Sequence, residues 1–350
     1  MAFPVTRREL MAGGAALAAV AGLADGRAVA QTSTLHVTHF GGPYQALATF
    51  AGKPFEETTK IRVVYDVEIS PSAFPKLQTQ RADPPFDVVM FSRAWGLRAA
   101  KADLVRTVSA ADFPEASNLL HDVLPSGGWG VAMMLDTMDI MVDTNQVKTP
   151  LKSWNDLWRA DLKGKVMLPS STEGATRLLF LLSFVHAVAG DVKNEAAVNE
   201  AFARLKALKP NLRGFFSDGV QANLLIERGD IAAAPQFAIR IANSTRRSPN
   251  VAKVSPQEGV AAVPYDLCIP TNSKNATAAK DYINFTLTKP VQEAMVKALL
   301  ATPVRSDVQV PADIAPLVNA DPKLVWFPDA EYVAGKEREW LDRYTREVQS

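Results

Sequence analysis

Short apolar runs alternate with longer amphipathic stretches along almost the whole chain, and this alternation limits the possible folds more than any other feature. Strands separated by helical patterns imply an α/β fold with mostly parallel pairing. Residues 35–38, 61–65 and 87–90 read as the first three strands, with a helix from about 44 to 58. Residues 132–142 read as a long hydrophobic crossing strand. Ser153 is placed to N-cap a helix through Trp154-Asn155-Asp156-Leu157-Trp158, and 166–168 is a strand that opens a second half. Helical patterns follow at 178–188, 194–208 and 219–228, then a strand at 231–234. A strand at 265–270 returns to the first half, and helices at 277–287, after Pro290 and at 330–348 close the chain.

The N-terminus has the pattern of a targeting peptide. Thr6-Arg7-Arg8-Glu9-Leu10-Met11 precedes an apolar run over 12–23, and Ala28-Val29-Ala30 supplies an A-x-A cleavage site before Gln31. A charged start, a short apolar stretch and small residues at the cut fit a secretory leader, and Arg7-Arg8 resembles a twin-arginine signal. The expected destination is the periplasm. No later run approaches the roughly 20 apolar residues of a membrane-spanning helix.

Roughly 320 residues of the 350 follow the cleavage site, more than one hydrophobic core ordinarily serves, so two domains are expected. Cys268 is the only cysteine, so no intramolecular disulfide can form. The net charge is +1, and Arg7, Arg8 and Arg27 against Glu9 and Asp25 account for it within the leader. Nothing here has the clustered basic and aromatic residues of a nucleic-acid surface. Arg246-Arg247 reads as a basic pair on a solvated loop.

Motifs that would signal an enzyme are missing. The chain lacks a G-x-S-x-G nucleophile elbow, a phosphate-binding loop, H-E-x-x-H and C-x-x-C. His36, His39, His121 and His186 are too scattered to suggest a metal site. No cofactor and no catalysis are therefore expected.

Several blocks carry a specific resemblance. Ser153-Trp154-Asn155-Asp156-Leu157-Trp158, with Lys163-Gly164-Lys165-Val166 after it, resembles the S-W-x-D-L-W…K-G block of the spermidine/putrescine-type solute-binding proteins of ABC importers. Pro256-Gln257-Glu258-Gly259, Leu267-Cys268-Ile269-Pro270 with Asn275-Ala276, and Phe327-Pro328-Asp329-Ala330-Glu331 resemble further blocks in the same order. The resemblance implies a type II periplasmic binding protein fold, with two α/β lobes joined by two crossing strands and a ligand cleft between them. The expected division is a leader over 1–30, one lobe from 31–140 and 264–302, and the other from 141–263 and 303–350. It also implies membrane permease subunits as partners and a monomer as the family default.

The same resemblance suggests ligand-holding positions. Phe40 and Phe237 stand where the family places aromatic rings, and Trp129-Gly130 matches a W-G step. Polyamine binders hold ammonium groups with carboxylates and box the methylene chain with rings, but here the carboxylates look displaced. Gly41-Gly42-Pro43-Tyr44 replaces an acid-bearing loop, and Tyr265 occupies the place of an aspartate. Glu173 and Asp266 lie one step from acidic positions, and Asp218 matches an S-D loop or caps a helix. Cations stand out instead, with Arg240 matching an arginine of the G-G-x-Y branch. Arg93, beside Ser92, and Arg305 fall on loops bordering the cleft in similar proteins. A guanidinium suits a bidentate carboxylate or phosphonate, so the expected solute carries an acidic group: an amino acid, a γ-aminobutyrate-like zwitterion or an aminophosphonate. The competing reading gives these arginines to ion pairs within the protein. A polyamine ligand is the alternative; a ferric site would call for a tyrosine pair, and no Tyr-Tyr occurs.

Overall fold

The computed structural model describes residues 34–350 apart from Ser126, Ala320 and Pro322. The leader and its paired arginines lie outside the described residues. The first half runs β1 (Thr34–His39), α1 (Lys53–Thr59), β2 (Arg62–Val67), α2 (Ser70–Thr79), β3 (Val89–Ser92), α3 (Arg93–Lys101) and β4 (Val131–Asp143). It continues through β5 (Val166–Pro169), α4 (Gly174–Ala189), α5 (Glu195–Ala207), β6 (Leu212–Phe216), α6 (Gly219–Glu227), β7 (Ala233–Phe237), α7 (Ala238–Arg247) and β8 (Val251–Val254). Then come β9 (Val260–Cys268), α8 (Ala276–Thr286), α9 (Lys289–Leu299), β10 (Val325–Trp326) and α10 (Ala330–Tyr344).

Two strands organise the molecule. All thirteen residues of β4 are buried, and they serve two cores in turn. Val131 to Leu135 pack with Leu35, Phe55, Val88, Tyr282 and Met295, whereas Met138, Ile140 and Val142 pack with Trp154, Phe180, Phe184, Phe202 and Trp340. β9 makes the opposite passage beside it, with Ala261 in the second core and Tyr265 and Leu267 in the first. Each fully buried Phe, Leu or Met contributes about 1.5–3 kcal/mol, so each lobe has its own source of stability. The lobes meet where β4 and β9 change cores.

The pairing is mixed, and this departs from the mostly parallel expectation. β1 and β2 are parallel, as are β5, β6 and β7, but β4 runs antiparallel to β7, β8 and β9, and β3 is antiparallel to β9. Strands that cross between lobes in opposite directions must pair antiparallel. The helix expected over 44–58 is also broken. A 3₁₀ turn at Gly42–Ala46 and a π-turn at Ala48–Gly52 precede α1, whose first turn holds Pro54. Without an N–H, Pro54 cannot extend an α-helical ladder from upstream. The segment after Ser153 forms one 3₁₀ stretch, Trp154–Trp158, closed by a capping box between Ser153 and Asp156. α2, α3, α7, β6, β8 and β10 were not anticipated. Arg246 and Arg247, expected on a loop, end α7.

α4 explains its own composition. Phe180, Leu181 and Phe184 pack in the second core, and Leu179 and Leu182 belong to that core while also lining, with Leu178, a cavity at its edge. Among the described residues no helix is long and apolar enough to cross a membrane.

Candidate functional site

A cavity of about 1160 Å³ lies between the two cores. Its floor is the crossing, with Asp136 of β4 and Ala262, Val263, Pro264 and Tyr265 of β9. One wall comes from the ends of β1 and β3, through Phe40, the loop to Tyr44, Ser92 and Arg93; the other comes from α4, the first turn of α6, and the β7–α7 junction with Phe237, Ile239 and Arg240. Phe40, Ser92 and Phe237 sit at the carboxyl ends of their strands, the usual place for a ligand on an α/β sheet.

Phe40, Tyr44 and Tyr265 form a closed set of edge-to-face rings, with centroids 5.6, 5.2 and 5.8 Å apart. Edge-to-face packing suits their quadrupoles and leaves a fixed aromatic surface. Burial pushes the Tyr44 and Tyr265 hydroxyls well above the ordinary phenol range. They stay neutral and can both donate and accept.

Arg240 projects from the first turn of α7 and makes no ion pair among the described residues. Its guanidinium carbon lies 6.0 Å from the centre of the Phe237 ring. Gly219 makes room for it, since a Cβ there would stand 1.7 Å from Arg240 Nη1. A polar chain fixes the supporting elements. The Gln236 amide donates to Gly219 O and Asn223 Oδ1, and the Asn223 amide donates to Arg240 O and Ser244 Oγ. β7, α6 and α7 are thereby tied together beneath the arginine.

Asp136 is the functional candidate that sequence reasoning missed. It is 3% exposed, yet lines the cavity. The backbone N–H groups of Thr137 (2.9 Å) and Ile239 (3.2 Å) donate to its Oδ1, and no hydrogen bond reaches Oδ2 among the described residues. Burial pushes its carboxyl up to about 7, and nearby Asp139 adds to the rise, while the two N–H groups and Arg240 oppose it. Asp139 belongs to a separate buried cluster, accepting from Thr137, Ser255 and Asn319 with Lys253 at 4.0 Å.

Seven of the sequence-derived positions come together on this cavity: Phe40, Tyr44, Ser92, Arg93, Phe237, Arg240 and Tyr265. Five do not line it. Trp129 and Asp266 lie beneath the wall, where the Trp129 indole donates to Asp266 Oδ2 at 3.1 Å. Arg93 touches the cavity, but its guanidinium grips both oxygens of Asp266 (3.1 and 2.7 Å) and donates to the carbonyls of Asp122 and Val123. Arg93 is therefore occupied by an internal ion pair. Arg305, expected to border the cleft, is 4% exposed and held by Asp307 (2.8 Å twice), Glu115 and Leu287 O. Glu173 accepts from Gly219 N and Thr176 Oγ1 and so anchors the starts of α6 and α4, while Asp218 caps α6 by accepting from Gln221 N. No group of three or more metal-ligating side chains occurs among the described residues.

Of the charged side chains that line the cavity, Arg240 and Asp136 alone are outside ion pairs among the described residues, and they share it with an aromatic surface. A family model for bacterial extracellular solute-binding proteins matches residues 51–325. The chain belongs to that family. It is similar to the spermidine/putrescine-binding periplasmic protein of Escherichia coli K12, 26% identical over 345 residues, covering 95% of this chain and 92% of that protein. The gamma-aminobutyric acid-binding protein of Pseudomonas aeruginosa is 25% identical over 281 residues, covering 79% and 78%. Among solved structures, an ABC transporter protein from Clostridium perfringens superposes with a TM-score of 0.78 at 24% identity, covering 90% of this chain and 99% of that one. This solute-binding protein thus has the type II periplasmic binding fold and groups with ABC-importer binding proteins of the polyamine-binding type. The relatives' names divide between polyamines and an ω-amino acid.

Proposed function

We propose that this protein is the periplasmic capture subunit of an ABC importer, exported by its N-terminal leader, and that its solute carries an acidic group. An amino acid, a γ-aminobutyrate-like zwitterion or an aminophosphonate fits this description. The observation that carries the reading is Arg240, a cation in the cleft without an internal acid partner. Guanidinium forks match carboxylate and phosphonate oxygens in a bidentate fashion. The lobes, divided as 31–140 with 264–302 and 141–263 with 303–350, close on the solute and present the closed shape to permease subunits. Capture is by a monomer and without chemistry on the solute.

Exposed side chains support closure. Val67 and Ile69 on one lobe, and Val220 and Leu224 on the other, are 60%, 53%, 64% and 44% exposed. Ile69, Val220 and Leu224 line the cleft. Bringing the walls together removes this apolar area from water at about 25 cal/mol per Å².

Replacing Arg240 by alanine is expected to weaken an acidic solute by about 2–5 kcal/mol, since the closed cleft would leave its charge unpaired. A diamine should bind unchanged or slightly tighter. Titration calorimetry of both proteins decides the matter: equal affinity of wild type and Arg240→Ala for the acidic solute would remove Arg240 from the site.

A further inference from the structure

We infer that Asp136 is the receptor for an ammonium group, so that the cleft takes a dipolar solute with its cationic end at the crossing and its acid at Arg240. This rests on the reading of Arg240 as the acid-binding group. Asp136 and Arg240 line the same cavity but form no ion pair, although each lacks another oppositely charged partner among the described residues. Two opposite charges held apart on one cavity leave a gap that a dipolar molecule fills, with each of its ends neutralising one protein charge.

The local geometry favours a cation at Asp136 over water alone. Oδ1 is fixed by two backbone N–H groups, which aims the carboxylate, and Oδ2 is without a hydrogen-bond donor among the described residues. A buried carboxylate with an unfilled acceptor gains more from a charged donor than from a neutral one. The Phe40–Tyr44–Tyr265 ring set lines the same cavity and offers faces to an ammonium. Asp136 also stands opposite Val263 in the β4–β9 register, where the two lobes meet. A cation there touches the strands that join the lobes.

The facing charges are consistent with this. Asp139 and the buried Lys253 lie on the second-lobe side, Arg240 lies above, and Tyr44 and Tyr265 lie on the first-lobe side. Lys253 is committed to Asp139 and Asn319, so it does not neutralise Asp136 directly.

The test compares glycine, 3-aminopropionate, 4-aminobutyrate, 5-aminopentanoate and 2-aminoethylphosphonate with their amine-free counterparts, on wild type and Asp136→Asn, by titration calorimetry. Asparagine keeps the Oδ1 acceptor and removes the charge. Wild type is expected to prefer at least one amino compound over its amine-free counterpart by about 100-fold or more, and Asp136→Asn to narrow that ratio below about threefold. A 100-fold preference retained by Asp136→Asn, or amine-free acids binding wild type as tightly as the amino compounds, overturns the role of Asp136 and leaves the acid-binding reading standing. Wild type that retains putrescine and none of the acids overturns both.

Discussion

Arg93→Ala is expected to destabilise the protein by about 3–5 kcal/mol, which for a chain of this size lowers the melting temperature by roughly 5–8 °C. The cause is Asp266. Its side chain is fully buried, and Arg93 supplies two of its three hydrogen-bond donors, at 3.1 and 2.7 Å. Removing the cation leaves an uncompensated charge in the core with only the Trp129 indole as a donor. Adding Asp266→Asn to the alanine variant should recover most of the loss, because the stranded charge is then gone. Differential scanning calorimetry of the three proteins tests this, and a loss below about 1 kcal/mol in Arg93→Ala would return Arg93 to the list of ligand contacts.

Asp136→Asn should act in the opposite direction on the solute-free protein. The sign follows from the carboxyl being pushed up to about 7 when folded, against 3.8 ordinarily. Between these values the folded state holds the proton more tightly than the unfolded state, so stability is full below pH 4 and falls as pH rises to about 7. Above pH 7 the accumulated loss is about 4 kcal/mol, at about 1.4 kcal/mol per unit. Asparagine does not titrate. Asp136→Asn should therefore gain on wild type progressively from pH 4 to 7, reaching roughly 6 °C in melting temperature at pH 8. Using the difference between the two proteins cancels the surface carboxylates, such as Asp307 and Asp329, whose partners hold them low. A flat difference across this range would mean that Asp136 is ionised throughout. The loss of stability in the empty protein is mainly the cost of burying a charged carboxylate, which a bound cation would offset.

Much of the fold was legible because its strongest elements are local. β4, β5, α4, α5, α6, α8 and α9 follow their hydrophobic patterns, and the helix expected over 194–208 starts where Asn194 caps α5 by accepting from Ala197 N. α2 holds Pro71 in its first turn, where proline is tolerated, but Pro75 inside it argues against a helix in the sequence, and the packing of Ala73 and Leu77 carries it through. α7 was missed because Ile239-Arg240-Ile241 alternates with the period of a strand. The cleft was half legible. Aromatic residues and Arg240 are visible as residue types in the resembling blocks, but the fate of Arg93 depends on a carboxylate 173 residues away, and that of Arg305 on Glu115, 190 residues away, together with the neighbouring Asp307. Charge alone could not decide between cleft and ion pair. Asp136 did leave a signal. It is one of three acids, with Asp139 and Asp143, in a strand otherwise rich in Met and Val, and a buried acid is costly unless something uses it.

The most direct measurement is the thermal shift of the protein refolded to strip bound solute, taken with polyamines on one side and amino acids with aminophosphonates on the other. A solute that binds only the folded state raises the melting temperature by mass action, about 2.7 kcal/mol at a hundredfold excess over Kd. Stabilisation by the acidic panel alone is the expected result. Stabilisation by putrescine or spermidine alone would contradict it, and would remove both Arg240 as the acid-binding group and the dipolar site built on it.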